Sequence, residues 1–97
     1  MKISNFQDLL KDLYLQKDLD RGVKSTFIWL IEEMGELATL LNSTGIDKKK
    51  VSEELADIIA WAISIANILD IDIEEALFNK YPNKCKKCSS SPCICEK

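Results

Sequence analysis

The chain has 97 residues, of which 46% are hydrophobic and 30% charged, and its formal net charge is −3. This length suits a single domain, and so short a chain buries much more apolar surface when it forms a homo-oligomer. The small net charge disfavours binding to a nucleic-acid polymer, which requires a broad basic surface. The longest run without a charge, residues 58–69, is too short to cross a bilayer.

The first residues carry charged side chains where a secretion signal would have an apolar core, namely Lys2, Asp8 and Lys11. Nothing there directs export. We therefore expect a cytoplasmic protein without a membrane partner.

Apolar residues recur at helical spacing along most of the chain. Ser4 has the chemistry of an N-cap for the first helix, and Asp72 with Glu75 has the spacing of a capping box for the last. Pro82 should stop that last helix. The predicted helices cover residues 4–18, 25–41, 48–69 and 72–80.

The second predicted helix carries one long apolar face, which we expect to be its core face. The third carries a wider apolar band, which predicts packing against several helices. The fold class is therefore all-α, an antiparallel bundle of about four helices completed by oligomerisation. The second helix's face comprises Phe27, Leu30, Ile31, Met34, Leu37, Ala38 and Leu41.

Five carboxylates lie on the second and third helices, in the patterns EExxE and ExxD. Residues three apart on a helix project from one side, so each pattern presents a pair of carboxylates. Residues 42–47, which contain Gly45, interrupt the helical pattern and should return the third helix antiparallel to the second. Facing positions would then pair Glu33 with Asp57, Glu36 with Glu54, Trp29 with Trp61, and Leu40 with Lys50.

Glutamates on helices usually belong to solvated faces, and Glu32 or Glu53 alone would be interpreted in that way. The paired carboxylates differ, because the side of each helix that carries them continues through apolar residues, namely Trp29 and Leu40 on the second helix and Trp61 on the third. We call this row of side chains the carboxylate stripe. Carboxylates at such a partly apolar interface between two helices repel one another and resist desolvation. A divalent cation between them resolves both problems.

The four cysteines all fall near the end of the chain, as C-x2-C-x4-C-x-C. Four thiolates can form a tetrahedral Zn²⁺ site that folds a segment poor in apolar residues. Two disulfides, or free thiols in a flexible tail, remain open alternatives, whereas an iron–sulfur cluster is less favoured. We divide the chain into a helical domain, residues 1–82, and a tail, residues 83–97, that contains Cys85, Cys88, Cys93 and Cys95.

The segments EEMGEL and EELADIIAWAI, followed by IDIEEAL, resemble the MazG-type nucleoside triphosphate pyrophosphohydrolases of the all-α NTP pyrophosphatase superfamily. The resemblance covers about residues 26–82. It implies hydrolysis of an NTP or dNTP to a nucleoside monophosphate and pyrophosphate. The implied biological role is nucleotide-pool housekeeping. Water would attack the α-phosphorus.

The resemblance also implies roles for particular residues. Mg²⁺, with Mn²⁺ as a substitute, would be held by carboxylates, and Glu32 would bind a second metal, orient water or remain a solvated side chain. Trp61 would stack on the base or pack in the core, and Lys80 would bind phosphate. Two subunits would complete the nucleotide pocket, in a dimer or tetramer. The implied Mg²⁺ ligands are Glu33, Glu36, Glu54 and Asp57.

Other functions remain open. A non-catalytic helical protein, organised by metal for assembly or regulation, would have the same motifs but no turnover. Phosphoribosyl-ATP pyrophosphatase is a relative with the same chemistry on another substrate. A carboxylate-bridged di-iron site is disfavoured, because such sites typically include histidine and this chain has none.

Overall fold

The computed structural model describes residues 1–96 and contains four helices: α1 (Ile3–Arg21), α2 (Val23–Leu41), α3 (Lys48–Ile68) and α4 (Ile73–Lys80). Residues 1–96 include no strand, so the predicted all-α class is confirmed. Lys97, the last residue of the predicted tail, lies outside the described residues. In the same range, no helix combines the length and the apolar character that crossing a membrane would require.

The helix ends follow local capping chemistry. The Asp47 carboxylate accepts hydrogen bonds from the backbone N–H groups of Lys49 and Lys50, and Asp72 accepts one from Glu75, as its spacing predicts. The prediction of Ser4 as the first N-cap is wrong. Helix α1 begins one residue earlier, and the backbone N–H of Lys2 donates to Asn5 Oδ1 at 3.1 Å.

Helix α1 also runs three residues beyond the predicted end at Asp18, because Arg21 in its last turn bonds back to the Asp18 carboxylate. It ends at Gly22, whose φ of 89° lies in the region that favours glycine. Helix α2 starts directly afterwards. The two helices are therefore joined by one residue.

Helices α2 and α3 form an antiparallel hairpin, and α1 packs on both, mainly on α3, while α4 packs on α1. A buried polar network fixes the corner where α3 turns into α4. Gln7 Nε2 donates to Asn67 Oδ1 at 2.9 Å and to the Ile71 carbonyl at 2.7 Å. Gln7 Oε1 accepts from the Ile73 N–H at 3.0 Å, so one side chain of α1 holds both later helices in place.

The predicted core face of α2 is wrong for a single chain. Phe27, Ile31 and Met34 are 52%, 50% and 52% exposed, and only Leu30 and Leu37 reach half-burial. Helices α1 and α3 cover other sides of α2, and no described element of this chain covers that face. The buried apolar side chains among residues 1–96 are Leu10, Ile63 and Ala66.

Candidate functional site

Three of the four predicted metal ligands meet where α2 packs on α3, a contact that we call the α2–α3 seam. Glu33 and Glu36 project from α2 and Glu54 from α3, and one carboxylate oxygen of each lies within 4.8 Å of the others. The i, i+3 spacing on α2 presents its two carboxylates to the same side. The hairpin then brings α3 across them, as the interrupted pattern at residues 42–47 predicts.

Two oxygens of this cluster are buried without a hydrogen-bond partner, Glu33 Oε2 and Glu54 Oε2. An ionised carboxylate only accepts hydrogen bonds, so a neighbouring carboxylate that is also ionised cannot satisfy it. Such atoms are costly to bury unless a cation or a donor approaches them. Oxygen ligands in this number and charge suit hard divalent cations such as Mg²⁺.

The crowding also changes the protonation of the cluster. The pKa of Glu36 is raised, first by the negative charge of Glu54 and then by a hydrogen bond that favours its protonated form. The pKa of Glu54 is raised too, first by a hydrogen bond with Glu33, then by partial desolvation and the charge of Glu33. The three carboxyls are therefore an electrostatically unfavourable group that a cation would relieve.

Asp57 and Glu32, the remaining predicted carboxylates, are exposed and do not belong to the group of three. The charge of Asp57 still raises the pKa of both Glu36 and Glu54, and that of Glu32 raises the pKa of Glu36. Both carboxylates therefore lie at the edge of the cluster.

A cleft of about 430 Å³ opens beside the cluster. Leu40 and Lys50, which we predicted to face each other, both line it. Lys50 had no predicted functional role, although its position four residues before Glu54 places it on the same side of α3. The other lining residues are Glu36, Thr39, Glu53 and Glu54.

At the other end of the carboxylate stripe the predicted contact between Trp29 and Trp61 is confirmed. Their rings meet edge to face, with centroids 5.2 Å apart. The Arg21 guanidinium lies 4.6 Å from the Trp29 ring centroid and 5.0 Å from that of Trp61. Arg21 also donates to Asp18 Oδ1 at 2.8 Å and to Thr26 Oγ1 at 3.2 Å.

Neither Arg21 nor the buried Asp18 was predicted as a functional residue from the sequence. The available signal was an Asp and an Arg three residues apart before a glycine, which usually means an exposed ion pair. Here the Arg21 guanidinium of the pair lies over both tryptophans, at the end of the carboxylate stripe.

Lys80 does not line the cleft beside the carboxylates. It lines a second cleft, of about 850 Å³, whose walls come from residues 80–95 and include none of the five acidic residues. The structure therefore does not bring Lys80 to the carboxylate cluster within a shared cleft.

The four cysteines converge beside that second cleft. All four sulfurs lie within 4.8 Å of one another, and all four thiols are free rather than paired in disulfides. Backbone N–H groups, first that of Ile94 and then that of Ser90, lower the pKa of the Cys88 thiol to about 6. The cluster can hold a metal ion.

The family model of the MazG nucleotide pyrophosphohydrolase domain matches residues 21–89. A search of curated proteins finds no match. The matched region is wider at both ends than the segment on which the sequence resemblance depends, since it starts at Arg21 and includes Cys85 and Cys88. It contains all five carboxylates and both tryptophans. Because the match covers well over half of the chain, the protein belongs to the MazG nucleotide pyrophosphohydrolase domain family.

Proposed function

We propose that this protein hydrolyses nucleoside triphosphates, NTP or dNTP, to the monophosphate and pyrophosphate at a Mg²⁺ site on the α2–α3 seam. The observation that carries the proposal is the pair of buried, partnerless oxygens of Glu33 and Glu54 beside Glu36. Buried carboxylate oxygens without partners destabilise a helical scaffold. In a member of a pyrophosphohydrolase family, a bound cation would satisfy these oxygens and would also bind phosphate oxygens of the substrate.

When bound, Mg²⁺ neutralises charge on the phosphate oxygens and lowers the pKa of a coordinated water. Glu33, Glu36 and Glu54 would supply the oxygen ligands for it. Asp57 and Glu32 are exposed at the edge of the cluster and can accept hydrogen bonds from the attacking water, or complete a second ion site. Positioning and charge stabilisation suffice for phosphoryl chemistry.

The nucleoside would lie toward the tryptophans. Trp61 is half-buried, and Arg21 lies over its ring. A base that stacks on Trp61 would therefore use ring surface that Arg21 leaves open, with the guanidinium available to the triphosphate. Lys80, which lines the other cleft, remains our prediction for a second phosphate ligand.

We also propose a homo-oligomer, a dimer or tetramer. The exposed face of α2 is large and apolar, as is part of α3 at Leu55 and Ile59. Contiguous apolar surface of this kind marks an interaction site on a small chain. A second copy of α2 and α3 supplies matching apolar surface by symmetry.

The test is turnover of a panel of NTPs and dNTPs by the protein, with and without Mg²⁺, assayed for both products. We expect pyrophosphate and monophosphate in equal amounts, only with Mg²⁺ or Mn²⁺, and loss of activity in Glu36→Gln and Asp57→Asn. Glu75→Gln, an exposed carboxylate of α4, is the matched control and should stay active. Absence of release with every nucleotide would reject hydrolysis and favour a binding or regulatory role.

A further inference from the structure

The four cysteine sulfurs have the spacing of ligands around a single ion. Cys85 Sγ lies 3.8 Å from Cys95 Sγ, and Cys88 Sγ lies 3.9 Å from Cys93 Sγ. A regular tetrahedron with Zn–S bonds of about 2.3 Å has edges of about 3.8 Å. A disulfide would require about 2.05 Å.

The backbone around the sulfurs is arranged to support them. The Ser89 N–H donates to the Cys85 carbonyl at 2.7 Å and the Cys85 N–H donates to the Ser90 carbonyl at 3.0 Å. These two bonds close a tight loop that contains Cys85 and Cys88. Further along the chain, the Cys95 N–H points at Cys93 Sγ at 3.3 Å. Such N–H groups stabilise a thiolate ligand.

Apolar packing does not account for this order. Residues 81–96 form no helix or strand and contain no buried side chain, and Ile94 is 74% exposed. Four thiolates this close would repel one another without a cation. One link to the helices is the hydrogen bond from Lys86 Nζ to the Asn79 carbonyl of α4, at 3.0 Å.

We propose that Cys85, Cys88, Cys93 and Cys95 bind one Zn²⁺ in a closed, four-thiolate site that folds residues 83–96 against the end of α4. Soft sulfur ligands in tetrahedral geometry select zinc over Mg²⁺. The closed site leaves no coordination position for substrate, so its role is structural. It shapes the lysine-lined cleft that contains Lys80, Lys84, Lys86 and Lys87.

Metal content of the full chain, purified without chelators, tests the proposal. We expect one zinc per chain, and Co²⁺ exchange should produce the intense thiolate-to-cobalt absorption of a tetrahedral site. Cys88→Ser and Cys93→Ser should each lose most of the zinc. Ser91→Ala should retain it, and so should Glu54→Gln, which separates this site from the carboxylates.

Hydrogen exchange gives a second readout that does not depend on variants. Residues 83–96 should be protected in the zinc-bound chain and exchange freely after the zinc is removed, while helix content by circular dichroism stays the same. Iron in place of zinc, a mass that indicates two disulfides, or four freely titratable thiols in zinc-replete protein would overturn the site. Equal exchange with and without zinc would overturn its folding role.

Discussion

Glu54 holds the central place in the proposed metal centre, because it comes from α3 and meets two carboxylates of α2. In the metal-free chain its negative charge opposes folding. The raised pKa values of Glu36 and Glu54 mean that the folded chain binds protons more tightly than the unfolded chain does.

Glu54→Gln should therefore raise the melting temperature of the metal-free protein at pH 7. The stability that the two raised pKa values contribute is fully present below the ordinary carboxyl pKa of 4.5 and is lost as the pH rises through the folded-state values. The advantage of the variant should accordingly grow from pH 4.5 to pH 7. In the presence of Mg²⁺ the variant should lose at least about 100-fold in activity.

Thermal unfolding by circular dichroism across this pH range checks the prediction. Glu53→Gln, a neighbouring exposed carboxylate outside the group of three, is the control. If the melting temperature of Glu54→Gln equals that of the wild type at every pH, repulsion among the three carboxylates does not destabilise the metal-free protein.

Arg21 and Asp18 form a partly buried ion pair outside the carboxylate cluster. Asp18 is 1% exposed, and Arg21 is its ion-pair partner at 2.8 Å. Arg21→Ala should lower the free energy of unfolding by about 2–3 kcal/mol, because it leaves a buried carboxylate without its charged donor. Adding Asp18→Asn should recover part of that loss. Urea unfolding of both single variants and the double variant measures the coupling, and strictly additive losses would contradict it.

The carboxylate cluster was predictable from the sequence and the Arg21 site was not, for a physical reason. Glu33 and Glu36 share a side by helix geometry alone, and a short loop is enough to bring Glu54 to them. The environment of Arg21 depends on Trp29 and Trp61 arriving from two other helices. Local spacing contains no information on that convergence.

At the scale of helices, the loop at residues 42–47 sets the register that aligns the carboxylates. Its last residue, Asp47, caps α3 through the Lys49 and Lys50 N–H groups. Asp47→Ala should cost about 1 kcal/mol in unfolding free energy, whereas Asp47→Asn, which keeps an acceptor, should cost much less. Equal losses in the two variants by urea unfolding would assign another role to Asp47.

Helix limits were predictable where a side-chain cap marks them, as at Asp47 and Asp72. Helix α1 differed at both ends, because its start has no such cap and its last turn is held by the Arg21 pair. The apolar face of α2 was correctly recognised as a pattern, but its burial was wrongly assigned to the single chain. Periodicity identifies an apolar face and does not say which molecule covers it.

At the scale of the whole molecule, the exposed α2 face predicts self-association. Ile31→Glu should shift the protein to a smaller species, because it places a charge on that face. Leu19→Glu on α1, where the leucine is equally exposed, is the matched control and should leave the assembly unchanged. Sedimentation velocity over a range of concentrations measures this, and a wild-type protein that is monomeric throughout would contradict the prediction.

The most direct test of the account is turnover in H₂¹⁸O with Mg²⁺, followed by mass spectrometry of both products. Attack of water on the α-phosphorus predicts one ¹⁸O in the nucleoside monophosphate and none in pyrophosphate. Label in pyrophosphate, or release of orthophosphate in place of pyrophosphate, would contradict the proposed reaction at the Glu33, Glu36 and Glu54 site.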